Sequence, residues 1–107
     1  MEVFRKAKVY VQDIYAGVLQ EDEEGYLFSY DTEYLLNPNA KPVSITLPLQ
    51  NEGYRSNVLH PFFDGLIPEG WLLNLVVRNW KVNVSDRFGL LLLTCKDSIG
   101  DVYLEEE

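Results

Sequence analysis

The chain has 107 residues, of which 47% are hydrophobic and 24% charged. That length suits one domain with a modest core, and that hydrophobicity excludes a disordered chain. Nine basic against seventeen acidic residues leave a formal net charge of −8, a sign that repels phosphate backbones and anionic membranes alike.

Val9, Tyr10 and Val11 read as a strand and Ile14 to Leu19 as a second. Gln12-Asp13 between them predicts a tight hairpin, although Gln-Asp is a weaker turn signal than Asn-Gly. The acidic run Glu21-Asp22-Glu23-Glu24 reads as a solvated loop closed by Gly25, and Glu105 to Glu107 as a frayed tail. The aromatic-rich Tyr26-Leu27-Phe28-Ser29-Tyr30 predicts a third strand. Asp31 is placed to cap one helical turn through Leu36, which Asn37-Pro38-Asn39 breaks. Val43 to Leu47 reads as a fourth strand, with Val43, Ile45 and Leu47 on one face and Ser44 and Thr46 on the other. Pro48 ends it or marks a sheet edge.

The second half changes character. A short helix is expected around Phe62 and Phe63, then a longer one from Pro68, with Glu69 near the positive end of its dipole, to about Trp80. Ser85 is the candidate N-cap of a last helix across Phe88 to Leu93, and Asp86 suits its start. Ile99 to Leu104 reads as a final strand returning to the sheet. The expected architecture is one α+β domain over residues 1–107: a small antiparallel sheet or partly open barrel from the N-terminal half, packed with helices from the C-terminal half.

Catalytic and cofactor motifs are not found. His60 is the only histidine and Cys95 the only cysteine, and a metal centre needs several ligands at defined spacing. No nucleophile–base–orienter set, phosphate loop or cofactor signature is evident. Asp86-Arg87-Phe88-Gly89 echoes the Asp-Phe-Gly signature of kinases, but with the aspartate displaced by one residue and none of the accompanying kinase segments. The chain is therefore read as a non-enzyme. The lone cysteine fits a reducing cytoplasm, Met1 to Tyr10 is too charged for a signal peptide, and Leu90 to Leu93 is too short to span a bilayer.

The informative segment runs from Pro68 to Trp80. At 100° per residue, Leu72, Leu73, Val76, Val77 and Trp80 share an arc expected to face the core, against Val43, Ile45 and Leu47. Trp71 falls opposite, with Asn74, Leu75 and Arg78 one turn along, and the alternative is that other strands or loops cover Trp71 as ordinary core. Trp and Arg are enriched at binding hot spots. Tyr26, Tyr30 and Tyr54 are further candidates for a binding surface, with plain sheet packing as the alternative.

Phe62-Phe63-Asp64-Gly65-Leu66-Ile67-Pro68-Glu69-Gly70-Trp71 resembles the Phe-Phe-x-x-Leu-Leu-Pro-Glu-Gly signature of the N-terminal subdomain of HipA-type toxin kinases. The hairpin with Gly17-Val18-Leu19, the Tyr30 to Leu36 turn, Ser44 to Leu49, Phe88 to Leu92 and Ile99-Gly100-Asp101-Val102 are similar to that family's other segments. HipA kinases continue into a long catalytic region, whereas this sequence stops at Glu107. In that respect it resembles the small HipS component of split HipBST toxin–antitoxin systems. The resemblance implies a HipT-like Ser/Thr kinase as partner, a HipB-like DNA-binding protein in a larger complex, and neutralisation of the kinase as the role. Trp71 is then the expected anchor, Leu75 and Arg78 its support, and Glu69 and Asp64 sources of polar contacts. The alternative is a non-inhibitory brace between the kinase and a DNA-binding partner.

At a net charge of −8 the chain offers no counterion release to a nucleic acid. The purified chain is expected to give no mobility shift with DNA or RNA near physiological salt at micromolar protein. A shift without any partner present would overturn that expectation.

Overall fold

A computed structural model of the chain describes residues 4–67, 86–94 and 102–106. Among them are five strands: β1 (Lys6–Val11), β2 (Ile14–Asp22), β3 (Gly25–Tyr30), β4 (Tyr54–Ser56) and β5 (Val102–Glu106). Three short helices accompany them: α1 (Thr32–Leu36), α2 (Pro61–Asp64) and α3 (Arg87–Thr94). The strands form one open antiparallel sheet in the order β4-β3-β2-β1-β5. The α+β class stands, the sheet is open as the first of the two expected forms has it, and all three helices lie between β3 and β5 in the chain.

The β1–β2 hairpin turns on Gln12 and Asp13, with Val11 opposite Ile14. Both turn residues have positive φ, 50° and 67°, as a two-residue turn needs when its twist must match that of the strands. Beyond the turn, Val9 pairs with Gly17 and Tyr10 with Tyr15, so Ala16 is bulged into the ladder. Gly25 opens β3 at φ 132° with no room for a Cβ against the Ser56 carbonyl. Asp31 caps α1 as expected, its carboxylate accepting from Tyr34 N–H at 3.3 Å.

One face of the sheet carries Ala7, Val9, Leu19, Phe28, Tyr30 and Leu104, all buried. Phe63 of α2 and Phe88, Leu90 and Leu91 of α3 join the same core. Phe28 lies edge-on to Phe63 with ring centroids 5.3 Å apart. β5 returns to β1 as expected of the chain's end, placing Leu104 opposite Val9 and Tyr103 opposite Tyr10. On the other face Tyr10 and Tyr103 stack at 4.8 Å.

Residues 43–47 depart from the expected strand. The segment is a turn closed by Leu47 N–H donating to Ser44 C=O at 3.0 Å, with a single bridge between Ser44 and Leu47. Val43 and Leu47 are buried, but Ile45 is 94% exposed. The reason is Tyr30. Its hydroxyl accepts from Val43 N–H at 2.9 Å and donates to Leu47 C=O, so the backbone groups a sheet partner would take are already engaged. Ile45 is carried outward at the tip. The expected packing of Leu72, Val76 and Trp80 against this face falls on residues outside those described, and Ile45 offers them no inward surface.

Two more phenols hold the same connection. Tyr34 Oη accepts from Lys41 N–H at 3.0 Å and donates to Lys41 C=O at 2.7 Å. Tyr54 Oη donates to Pro48 C=O at 2.6 Å. The hydroxyls of Tyr30 and Tyr54 are thus used within the fold, while Tyr26 is half-buried with its ring 5.8 Å from Phe88.

Tyr30→Phe removes a hydroxyl that satisfies two buried backbone groups, so it should cost about 1–3 kcal/mol in urea unfolding. Burial pushes the Tyr30 hydroxyl up to about 12. A group with a raised folded-state pKa contributes stability below its ordinary value, near 10, and loses it as pH rises through the raised one. The gap between wild type and Tyr30→Phe should accordingly narrow between about pH 10 and 12. A gap independent of pH across that range would show that the phenol is not the group being lost.

Candidate partner-binding surface

Of the expected site, Glu69, Trp71, Leu75 and Arg78 lie outside the described residues; Asp64 lies within them. What the structure describes is the platform on either side of that segment. α2 opens at His60-Pro61, with proline in the first helical position. Phe63 and Ile67 are buried, so the Phe-Phe-Asp-Gly-Leu-Ile part of the signature is largely core. His60 is 5% exposed. Its Nε2 donates to Tyr54 C=O at 2.7 Å, and Nδ1 has no partner among the described residues. Burial lowers its pKa, so the ring is neutral and structural.

Asp64 sits at the end of α2, where Arg87 Nε donates to its Oδ1 at 2.7 Å. This ion pair fastens α2 to the start of α3. Asp64 is thus engaged inside the molecule and not held as a free carboxylate.

α3 is entered through Asp86, and the expected cap Ser85 lies outside the described residues. Asp86 Oδ1 accepts from Gly89 N–H at 3.1 Å, and Asp86 C=O accepts from Leu90 N–H at 3.0 Å. The same carboxylate takes a forked pair from Arg5, with Nη1 and Nη2 each at 2.8 Å. Arg5 also reaches Glu21, through Nε at 2.6 Å and Nη2 at 3.1 Å, and lies over the Phe88 ring at 5.3 Å. A Cβ on Gly89 would fall 2.3 Å from Asp86 Oδ2, so glycine leaves the room this pairing needs. The Asp-Arg-Phe-Gly echo of kinases is therefore a helix start: Asp86 caps it, Arg87 holds Asp64, Phe88 is core and Gly89 clears the ion pair.

The hydrogen bonds from Arg5 hold the Asp86 carboxyl below the usual carboxylate range, helped by Gly89 N–H and opposed by partial burial. In turn Asp86, then Glu21, raise the pKa of the Arg5 guanidinium. No group of three or more metal-ligating side chains occurs among the described residues, and no helix there is long and apolar enough to cross a membrane.

Sequence reasoning missed a second surface. Leu36 at the end of α1 is 82% exposed, and Ile45 and Leu49 are exposed beside the phenol-held backbone. A signal was present. Between Glu33 and Glu52 the only charged side chain is Lys41, an unusual gap in a chain that is 24% charged. Period-two alternation placed Ile45 inward because pattern alone does not reveal that Tyr30 takes the backbone hydrogen bonds.

Asp86→Asn keeps a capping side chain but discharges the pair with Arg5. The loss near neutral pH should be about 1 kcal/mol, the scale for ion pairs open to solvent. A carboxylate with a lowered folded-state pKa contributes stability above its ordinary value and loses it as pH falls through the lowered one. The gap between wild type and Asp86→Asn should close as pH drops below about 4. Equal acid limbs in the two proteins would show that Asp86 is not held by Arg5.

Comparison with known proteins places this arrangement. The chain is similar in structure to a solved N-terminal domain of HipA toxin, with a TM-score of 0.71 and 29% identity, covering 100% of this chain and 96% of that one. It is 32% identical over 106 residues to an uncharacterised protein of Haemophilus influenzae, covering 99% of this chain and 96% of that protein. The family model described as the HipA N-terminal domain matches residues 7–105. The chain belongs to the HipA N-terminal domain family.

Proposed function

We propose that this chain is an antitoxin-like regulatory subunit that binds a HipA-type Ser/Thr kinase non-covalently and restrains it, as one domain with no catalysis of its own. The observation that carries the reading is the family together with the short length of a relative. The Haemophilus influenzae relative is itself 96% covered by this chain, so the HipA N-terminal fold occurs there as little more than a single domain. A domain of that kind, separate from a kinase, has a non-covalent association as its means of acting on one. The net charge of −8 favours a basic partner over nucleic acid or a membrane.

In this reading Trp71 fills a pocket on the kinase, Leu75 and Arg78 support it, and Glu69 and Asp64 add polar contacts. Aromatic and arginine side chains of that kind dominate interface energies, and a filled pocket stops nucleotide entry or closure of the catalytic site. Asp64 also serves through Arg87, since their 2.7 Å pair steadies the α2 end of the segment. A second reading has its own support. The solved relative is the N-terminal domain of a toxin, a piece of the toxin itself, which favours a brace for the kinase or a link to a DNA-binding partner.

Kinase activity measured with and without this chain separates the two. Inhibition supports restraint; unchanged or raised activity in a formed complex supports the brace. Trp71→Ala should weaken binding by at least about tenfold, the equivalent of roughly 1.4 kcal/mol or more, while unfolding moves by no more than about 0.5 kcal/mol. Unfolding and inhibition are measured on one preparation. A large loss of stability would return Trp71 to the core, and undiminished inhibition would remove it from the interface.

A further inference from the structure

We propose that the flank formed by residues 34–51 is a docking face for a protein that presents an apolar surface rimmed by basic side chains. Three of the six large hydrophobic side chains exposed among the described residues, Leu36, Ile45 and Leu49, fall in this segment. Singly exposed apolar side chains are ordinary, but here they coincide with a stretch whose only charge is Lys41. Charge depletion around apolar side chains marks the centre of interfaces. The segment joins β3 to β4 and closes that end of the sheet.

The flank is also rigidly built. The Tyr30 hydroxyl fixes both ends of the turn that presents Ile45, at Val43 N–H and Leu47 C=O. Tyr34 and Tyr54 fix Lys41 and Pro48, and Ser44 and Thr46 share a side-chain hydrogen bond of 3.0 Å behind the tip. Proline at positions 42 and 48 restricts the backbone further. A side chain held out at 94% exposure on such a turn loses little conformational freedom when it enters a pocket.

Charge selects the occupant. Asp31 and Glu33 border this sparsely charged stretch in sequence on one side and Glu52 on the other, so its flanks are acidic and a basic rim on the partner complements them. A second copy would bring the same acidic rim and another net charge of −8. The assignment of the partner as a HipA-type kinase rests on the reading above; the position of the face does not, and it is separate from the Trp71 segment.

The test uses the full chain and a HipA-type kinase, with affinity measured by calorimetry for wild type, Ile45→Asp, Leu36→Asp and Trp71→Ala. Thermal melts are run on the same preparations, and Ile45→Ser replaces Ile45→Asp if the charged variant fails to fold. The expected result is at least a tenfold loss of affinity for the position-45 variant with an unmoved melting temperature. Wild-type affinity in both flank variants, with Trp71→Ala impaired, overturns the docking face and leaves the proposed function standing. No binding of wild type to the kinase overturns the proposed function and the kinase as occupant together. Sedimentation supplies the last arm: a wild-type dimer that Ile45→Asp makes monomeric overturns the proposal in favour of contact between copies.

Discussion

A single phenol decides how one side of this molecule is built. Tyr30 ends β3 with its ring in the core, and its hydroxyl meets the backbone of Val43 and Leu47. The connection from α1 to β4 forms no ladder with the sheet, so its backbone groups need partners of another kind. Tyrosines whose rings pack with the sheet provide them, joined by Tyr34 of α1, whose ring stacks on Tyr30 with centroids 6.2 Å apart. Long connections without secondary structure are uncommon in compact domains unless something holds them. Here the sheet itself does so, through side chains that are apolar where they pack and polar where they end.

Arg5 does the corresponding work at the other end of the core. One guanidinium meets Glu21 on β2 and Asp86 at the start of α3, and lies over Phe88. Its planar fork lets it serve two carboxylates at once, which a lysine would not do in the same geometry. In an acidic chain this uses scarce positive charge to join helix to sheet. The Asp64–Arg87 pair then joins α2 to α3. Together the two clusters fix the helices that flank residues 68–85 in the chain.

The two surfaces proposed as contacts differ in chemistry. The Trp71 segment carries the end of the family signature and comes directly after Ile67 in the sequence. The 34–51 flank is uncharged apart from Lys41 and owes its shape to the tyrosine hydroxyls. A partner that engages both would meet an aromatic anchor on one and a rigid aliphatic tip on the other, with acidic side chains around the latter to orient the approach.

Local signals determined much of this protein by themselves. The hairpin over Gln12 and Asp13, the strand opened by Gly25, the Asp31 cap, the short helix at Phe62 and Phe63 and the returning last strand all follow from neighbours in sequence. So does membership of the family, since its signature is a contiguous run. Tertiary structure decided the rest. Val43-Ser44-Ile45-Thr46-Leu47 alternates as a strand does, yet forms a turn whose backbone is engaged by the Tyr30 hydroxyl. Asp86 caps α3, and Asp64 turns to Arg87, because these charges are brought together from distant positions. Arg5 and Asp86 are 81 residues apart in sequence, and no periodicity or cap signal spans that distance. Propensity and pattern act over a turn or two of backbone, whereas which buried donor finds which acceptor is settled only when the sheet and helices close on one core.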